Sequence, residues 1–469
     1  MKICMAVALL FSSQVFGQGV LVAGERGPSH SPIAPAPDFG AAREEAVRLL
    51  SDFVRVDTVN PPGNETRGAR YLQSILEREG IPSEIFELAP GRGNLVARLK
   101  GNGTKKPVLI MGHIDTVPIE REKWTFDPFS GLVRDGFLYG RGASDDKSGG
   151  IASLEVMLLL HRLKIPLDRD VIFLAEAGEE SSTQIGIDFM VEQHWDKIAA
   201  EFSLTEGGGM LEEGGAVKQV IVTATEKLSR NMKLVAHGVS AHGSIPRADN
   251  PLVHLSAALV KLAAWRPPMR LNEVTRAYFT RLAAVSPPAE ASLYTHLDDP
   301  AAVEMLRTQS PRLDALLRAT ISPTIVQGGI RDNVIPATAE AFLMVRPLPD
   351  ENITDLMRQM REVMGDPAVE LLPAWGTRPA APPSGLKTEM FLAMESVQKR
   401  LYPQAITLPA MSAGSTDSAQ LRAKGVEAYG IGTFGSEGAH GNDERISVQG
   451  LGALVEFLYD DVVEVAATR

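Results

Sequence analysis

Apolar positions recur at two different spacings in the first half of the chain, and the two spacings alternate. Residues 44–55 and 68–80 carry apolar side chains at helical intervals, which predicts two amphipathic helices. Short continuous apolar runs at 94–99, 107–111 and 171–175 are typical of buried strands. Helices that alternate with such strands predict an α/β fold around a mixed sheet with parallel members.

The pattern changes near residue 226. Residues 228–237 and 339–346 alternate as strands do, whereas 251–265 and 352–364 have helical spacing. Two strand–helix–strand units of this kind predict a small α+β domain of the ferredoxin type, with four strands backed by two helices. The stretch at 266–320 is longer than such a unit needs and is interpreted as an insertion.

The chain returns afterwards to the first type of pattern, with helices predicted at 388–401 and 448–463. At 469 residues it is also too long for one ordinary hydrophobic core, so about two domains are expected. We therefore predict that the second domain is inserted within the first. The predicted divisions are an export signal at 1–17, a Pro/Gly-rich linker at 18–40, the first domain at 41–225 and 379–469, and the second domain at 226–378.

Composition narrows the compartment and the partners. A net charge of −11 argues against a nucleic-acid partner, which would need a basic surface. Lys2 precedes an apolar run from Ile3 to Phe11, and the small residue Gly17 ends a cleavage site before Gln18, as in a secretory signal. A periplasmic or secreted protein without a membrane anchor is therefore expected. The one cysteine, Cys4, lies inside this signal, so the mature chain would hold neither a disulfide nor a Cys-bound metal.

Five short segments each carry a residue type that binds zinc. Zinc in proteins takes imidazole nitrogens and carboxylate oxygens, and a catalytic site keeps one position open. Two histidines and three carboxylates suffice for two ions if one carboxylate bridges them. The candidates are His113, Asp145, Glu180, Glu206 and His440.

Three of these candidates have an informative neighbour. Asp115 lies two residues after His113, on the same side of an extended chain, so it can orient the imidazole. Glu179 and Glu180 are adjacent, so one can bind metal while the other serves as general base. Asp145 and Asp146 follow a Gly-rich turn. Only one of these two carboxylates is needed to bridge the two ions.

Two other classes of protein fit the sequence less well. A serine hydrolase would need Gly-x-Ser-x-Gly, and the nearest segment, GVSAH at 238–242, ends in His instead of Gly. A non-catalytic binding protein that kept the fold would not require the complete set of ligands together with a base. A metal-dependent hydrolase is therefore favoured.

The motifs resemble those of the di-zinc aminoacylase and carboxypeptidase family. The resemblance covers nearly the whole mature chain and is carried by MGHIDTVP at 111–118, YGRGASDDKSGG at 139–150, LAEAGEESS at 174–182, LTEGGG at 204–209 and GAHGNDERI at 438–446. The block from His113 to Lys147 is most similar to carboxypeptidase S and its secreted N-acyl-amino-acid relatives. This resemblance implies a zinc-exopeptidase catalytic domain and an inserted dimerisation lid.

The resemblance also implies a role for each residue. Asp145 would bridge two Zn²⁺ ions, with Co²⁺ or Mn²⁺ as alternatives, and Glu179 would be the base. His113 and Glu206 would complete one site, and Glu180 and His440 the other. His242 would polarise the scissile carbonyl, often from the second subunit of a homodimer, and the substrate carboxylate would be near Asn333, Arg346 and Ser415.

The expected activity is hydrolysis of the amide bond in N-acyl amino acids or small peptides with a free carboxylate. Exopeptidase and aminoacylase are not separated by the sequence. The acyl group and the amino-acid side chain also stay open.

Overall fold

The computed structural model describes residues 36–374, 376 and 378–468. The predicted export signal at 1–17, and the predicted linker as far as residue 35, lie outside the described residues. No helix in the described part of the chain is both long enough and apolar enough to cross a membrane.

The first segment of the chain alternates helices and strands as the spacing predicts. Its elements are α1 (Phe39–Val54), α2 (Glu65–Arg78), β1 (Ser83–Glu87), β2 (Gly93–Leu99), β3 (Val108–His113), β4 (Leu132–Arg134), β5 (Phe137–Tyr139), α3 (Lys147–Arg162), β6 (Val171–Glu176), α4 (Ile187–Gln193), α5 (Trp195–Ile198), β7 (Phe202–Thr205), β8 (Gly209–Glu213) and β9 (Ala216–Glu226).

The middle segment forms a separate sheet and a group of short helices. Its elements are β10 (Met232–His237), β11 (Ala241–His242), α6 (Pro251–Ala264), α7 (Glu273–Val285), α8 (Pro288–Thr295), α9 (Pro300–Gln309), α10 (Pro311–Asp314), β12 (Thr320–Gly328), β13 (Val334–Ile335), β14 (Thr338–Arg346), α11 (Ile353–Met364) and β15 (Val369–Pro373).

The last segment returns to the first sheet and ends in a long buried helix. Its elements are α12 (Glu389–Leu401), β16 (Ile406–Ser412), α13 (Ser418–Ala423), β17 (Glu427–Gly430), β18 (Ser436–Glu437), β19 (Arg445–Ser447) and α14 (Val448–Ala466).

The large sheet has the strand order β1-β2-β6-β3-β7-β17-β9-β16, with β8 paired to β9. The central strands β6, β3, β7 and β17 are parallel, and β2 joins them antiparallel. All residues of β3 and β6 are buried, because α1, α3, α12 and α14 cover one face and α4, α5 and α13 the other. Such burial explains the continuous apolar runs in the sequence. The predicted mixed α/β fold is confirmed.

The second sheet has the order β12-β14-β10-β15 and is antiparallel throughout. Helices α6 and α11 pack on it through a core of their own, so the predicted four strands and two helices are both present. The strand predicted at 228–237 begins later, at Met232, because the preceding residues connect the two sheets. In that connection, the backbone N–H of Leu228 donates to the carbonyl of Pro347.

The predicted insertion forms helices α7 to α10 and joins the two sheets. Helix α7 lies along β16, the edge strand of the large sheet. Its Arg281 donates to Glu395 at 2.6 Å and to the carbonyl of Thr407 at 2.9 Å. The buried ammonium of Lys227, just after β9, donates to the carbonyls of Ala315 and Arg318. The insertion therefore covers an edge of the large sheet and leaves β12, the edge of the small sheet, exposed.

Candidate metal centre

The parallel strands of the large sheet bring their carboxyl ends to one edge, where ligands bind in open α/β folds. His113 is the last residue of β3, and Glu206 directly follows β7. Glu179 and Glu180 come three and four residues after the end of β6. Three of the predicted segments therefore meet because their strands are neighbours in the sheet.

The imidazole of His113 is almost fully buried and has a polar group at each nitrogen. Its Nδ1 lies 3.0 Å from the carbonyl oxygen of Asp115 and 3.5 Å from the Asp115 carboxylate. Its Nε2 lies 3.0 Å from Oδ1 of Asp145. Asp115 thus orients the ring as the spacing predicts, although the shorter contact comes from its backbone.

The Asp115 carboxylate also fixes the two adjacent glutamates. Its oxygens accept from the backbone N–H groups of Glu179 and Glu180 at 3.1 and 3.2 Å, and from the Asn60 side chain at 2.8 Å. Because Asp115 has no exposed surface, these bonds are shielded from water. One buried carboxylate therefore connects the His113 strand to the loop that carries both glutamates.

Asp145 lies on the loop before α3, joined to Asp146 by a cis peptide bond. Its Oδ2 is 3.2 Å from Nε2 of His440, while its Oδ1 faces His113. His440 also lies 3.1 Å from the Glu180 carboxylate. Each oxygen of Asp145 thus faces a different imidazole.

Glu444 holds the Asp145 loop in place. Its carboxylate has no exposed surface and accepts from the backbone N–H groups of Gly142, Ser144 and Asp145 at 2.8–3.1 Å. It also pairs with the buried Arg141 guanidinium at 2.6 Å. Because Glu444 follows His440 by four residues, it ties the His440 loop to the Asp145 loop.

Glu206 completes the group. Its Oε2 lies 4.0 Å from Nε2 of His113. Ligand atoms fall within 4.8 Å of one another in two overlapping sets, His113–Asp145–Glu180 and His113–Glu179–Glu206. All five predicted ligands are therefore brought to one place, and Glu179 reaches it as well.

The centre has more carboxylates than cations to neutralise them. Burial, and then the charge of Glu179, raises the pKa of Glu206 well above its usual range. Burial also raises the pKa of Glu180 to about 6. Hydrogen bonding to Asp145 raises the pKa of His440 to about 9, despite partial burial. Such shifts mark a site whose buried negative charge would be neutralised by a bound cation.

The donor set suits such a cation. Two imidazole nitrogens and three carboxylates are the N and O ligands that zinc takes, and manganese or cobalt accept them too. No thiolate is available among these side chains, so metals that depend on sulfur are not favoured. The residues present therefore fit a pair of divalent ions.

A cleft of about 430 Å³ opens beside the centre. Glu179, Glu180 and His440 line one part of it, and Arg346 and Ser415 another. The Arg346 guanidinium donates to the Ser415 hydroxyl at 2.8 Å. Two of the three residues predicted to be near a substrate carboxylate are therefore in contact and face the same cleft as the centre.

His242 and Asn333 lie elsewhere on the second sheet's unit. His242 is in β11, whose partner β13 follows Asn333, and the N–H of Gly243 donates to the Asn333 carbonyl at 2.7 Å. Both side chains are exposed. Neither residue is among those lining the cleft, so the described chain does not bring them to its own centre.

Sequence reasoning assigned no role to two further residues. Glu444 lies in the segment GAHGNDERI, four residues after His440. A carboxylate so close in sequence to a candidate ligand could have indicated a supporting role. Arg378 lies in a Pro-rich connection without any pattern. Its guanidinium donates to the Glu179 carboxylate at 2.5 Å and lies 3.5 Å from Asp417. Only the folded chain brings Arg378 to the cleft.

The fold and the site together define a hydrolase with a two-metal type of ligand set at the carboxyl edge of a mixed sheet. A sequence model of peptidase family M20/M25/M40 matches residues 109–462. The chain belongs to this family, whose members are metal-dependent hydrolases acting on N-acyl amino acids or peptides. The predicted family, hydrolase class and general activity are thereby confirmed.

Similar proteins extend over most of the chain. The human N-fatty-acyl-amino acid synthase/hydrolase PM20D1 is 29% identical, covering 93% of this chain and 91% of that protein. The probable carboxypeptidase S-like 2 of Dictyostelium discoideum is 30% identical, over 78% and 73%. A metallo-carboxypeptidase structure from Sulfolobus solfataricus has a TM-score of 0.67 at 20% identity, over 90% and 99%. This last likeness supports the fold alone.

Glu444 is not a proposed metal ligand, but its replacement should weaken metal binding because it holds the Asp145 loop in place. Glu444→Gln leaves the buried Arg141 without its partner charge, a loss of about 3–5 kcal/mol in the free energy of unfolding. It also places an amide N–H₂ against backbone donors, so the Asp145 loop should shift. We expect a lower Tm and a weaker zinc affinity, measured by calorimetry.

The matched control is Glu437→Gln, on the same loop. Glu437 pairs with Arg445 at the surface, and such pairs contribute about 0–1 kcal/mol. Equal zinc affinities in the two variants would contradict the role given to Glu444.

Proposed function

We propose that this chain is a two-zinc amidohydrolase that removes the acyl group from N-acyl amino acids or small peptides with a free carboxylate. The observation that carries the proposal is the pair of imidazoles on opposite oxygens of Asp145. Nε2 of His113 faces Oδ1 at 3.0 Å, and Nε2 of His440 faces Oδ2 at 3.2 Å. A carboxylate that bridges two ions needs this arrangement.

The remaining ligands divide naturally between the two ions. Glu206 is on the His113 side, and Glu180 contacts His440. When bound, ions of this kind lower the pKa of a water molecule and polarise a carbonyl oxygen. The residues of the chain then position the amide and move protons.

Glu179 is the proposed base. Burial raises the pKa of its carboxyl to about 7, and the Arg378 guanidinium opposes this shift. A base with a pKa near neutrality can accept a proton from the attacking water and return it to the leaving nitrogen. Arg378 fixes the orientation of the carboxylate through its 2.5 Å contact.

Arg346 is the proposed partner of the substrate carboxylate. Guanidinium groups bind carboxylates through two parallel hydrogen bonds, and Arg346 projects into the cleft with the Ser415 hydroxyl beside it. A substrate with its carboxylate here would extend its amide towards Glu179 and the metal ligands.

We also propose that residues 226–378 form a lid that pairs with a second copy. The edge strand β12 is exposed, and its Ile325 and Val326 are 47% and 59% exposed. Helix α6, which packs behind this sheet, also exposes Val253 and Val260. An open strand edge with apolar neighbours is a surface that proteins normally cover. In such a dimer, His242 and Asn333 would serve the partner's site.

Export through the segment at 1–17 is part of the proposal and rests on the sequence alone. Its check is the N-terminal residue of the mature protein, which should be Gln18 if the signal is removed as proposed.

Removal of metal should abolish hydrolysis, and zinc or cobalt should restore it, because the reaction needs an activated water. The measurement is amino-acid release from N-acetyl amino acids before and after chelation, with metal content followed by elemental analysis. Full activity in protein free of transition metal would contradict the proposal.

The two adjacent glutamates should behave differently. Glu179→Gln should retain metal and fold but lose about 10²–10⁴-fold in kcat, because an amide cannot accept a proton from water. Glu180→Gln should instead lower metal occupancy, measured by elemental analysis and by the cobalt absorption spectrum. The reverse pair of phenotypes would show that the roles are exchanged.

His242 should act across the dimer. His242→Ala should lower kcat by about 10²–10³-fold with unchanged metal content, as expected for loss of an oxyanion donor. Mixing it with inactive Glu179→Gln protein should restore activity, because one site of a mixed dimer then has both groups. His237→Ala, which changes an exposed histidine at the end of the nearby strand β10, is the control and should change neither quantity. No recovery despite proven subunit exchange would place His242 in its own chain's site.

A further inference from the structure

A second cavity, of about 190 Å³, lies beside the metal centre. Asp145 and Glu206 line this cavity, whereas Glu180 and His440 line the cleft, and the two linings share no residue. Ala439, next to His440, is also part of the cavity wall. The cavity therefore borders the metal ligands, and its wall is separate from that of the cleft, which contains Arg346.

Part of the buried wall of the cavity is apolar. Leu204 of β7 and Leu454 and Leu458 of α14 line it, and each is 1–5% exposed. Met111 of β3 also borders the cavity, although its side chain packs on the other face of the sheet. These side chains come from elements that form the main hydrophobic core. The exposed lining residues are Ser436, Ala439 and a glycine, so the mouth is at the surface and the apolar wall is inside.

The hydroxyl groups of the lining are largely occupied by the protein itself. Thr433 donates to the Gly450 carbonyl at 2.6 Å, and Ser144 and Ser436 bond to each other. Ser148 points its hydroxyl at the Ser144 carbonyl. These groups are satisfied without a ligand, so they demand no polar partner from a substrate.

The charges in the wall exclude some substrates. Among the described lining residues there is no Lys or Arg, whereas Asp145, Asp146 and Glu206 are acidic. An acyl group with a terminal carboxylate would meet no Lys or Arg side chain among these residues, and a neutral hydrocarbon chain would meet Leu454 and Leu458. The cavity thus favours an uncharged acyl group.

We infer that this cavity is the acyl pocket, and that the preferred substrates are N-acyl amino acids with an unbranched acyl chain of medium length. The inference rests on the proposed function, because an amide held at the centre with its carboxylate at Arg346 directs its acyl group away from the cleft. A water molecule takes about 30 Å³ in the liquid, and a methylene is of similar size, so the cavity holds about six carbons.

The test compares acyl groups on one amino acid. We choose the amino acid whose N-acetyl derivative binds most tightly to the zinc-loaded Glu179→Gln protein by calorimetry, so the choice does not depend on hydrolysis. Acetyl, butanoyl, hexanoyl, octanoyl and dodecanoyl derivatives vary length alone. Succinyl differs from butanoyl by a carboxylate in place of the terminal methyl, and 2-aminohexanoyl differs from hexanoyl by an α-amine. The butanoyl and succinyl pair distinguishes a neutral acyl pocket from a site for dicarboxylates. The hexanoyl and 2-aminohexanoyl pair distinguishes it from a dipeptide site.

We expect kcat/KM to rise about fourfold per methylene up to about six carbons and then to fall, since each buried methylene contributes a constant increment. Butanoyl should exceed succinyl, and hexanoyl should exceed 2-aminohexanoyl. No dependence on chain length, or faster cleavage of the 2-aminohexanoyl or succinyl member, would overturn the inference.

Two variants change the pocket itself. Ser153 lines the cavity from α3. Ser153→Leu should shorten the preferred acyl chain by about three carbons, because the larger side chain fills that part of the cavity. Leu458→Ala should lengthen the preferred chain by about three carbons. Leu451→Ala is the control, since Leu451 is a buried leucine of the same helix that does not line the cavity. Equal chain-length profiles in Leu458→Ala and Leu451→Ala would overturn the assignment.

A binding measurement separates failure of this inference from failure of the proposed function. Calorimetry on zinc-loaded Glu179→Gln protein should give roughly 250-fold tighter binding for the hexanoyl than for the acetyl derivative, about fourfold for each of the four extra methylenes. If the native enzyme hydrolyses no member of the series but this preference holds, the proposed reaction is wrong and the pocket stands. If acetyl substrates are hydrolysed but neither binding affinity nor kcat/KM depends on chain length, the proposed reaction is supported and the acyl-pocket assignment is wrong.

Discussion

Concentrated negative charge at the carboxyl edge of the large sheet is the constraint on which the rest of the site depends. Asp145, Glu179, Glu180 and Glu206 meet there with two imidazoles, and Arg378 is the guanidinium that contacts them. Like charges this close repel, and burial adds to the cost of keeping them ionised. Bound divalent ions would neutralise these charges and remove the repulsion. The same close packing of carboxylates that is unfavourable without metal therefore provides the affinity for it.

The protein holds this unfavourable group together with carboxylates placed just behind it. Asp115 binds the backbone of the two glutamates, and Glu444 binds the backbone of the Asp145 loop. Both are fully buried and accept from backbone N–H groups of the ligand-bearing loops, and the side chains of Asn60 and Arg141 also donate to them. Their contribution is geometric, because ligands must stay within a fraction of an ångström of the required positions for catalysis.

Two spaces with different linings border the centre. The cleft with Arg346 is polar and carries charges of both signs, whereas the cavity is partly apolar, with Leu454 and Leu458 in its wall. The insertion that forms α7 to α10 packs against β16 and does not cover the exposed edge strand β12. It therefore braces the connection between the sheets and leaves the proposed pairing surface free.

The sequence by itself determined the chemistry and the general fold. Unbroken apolar runs mark β3 and β6 as strands buried on both faces, and ligand types directly after strands place metal chemistry at a sheet edge. Helices and strands of both sheets follow from spacing, because burial of one face imposes a period on neighbouring residues.

Only the tertiary structure decided which groups meet across long separations in sequence. His440 faces Asp145 from almost 300 positions away, and Arg378 reaches Glu179 across 199. The cavity exists because α3, α14 and two strands leave space between them, which no local pattern records. Sequence periodicity shows which face of a single helix or strand is buried. The pairing of loops and the shape of a cavity depend instead on how separate elements pack together.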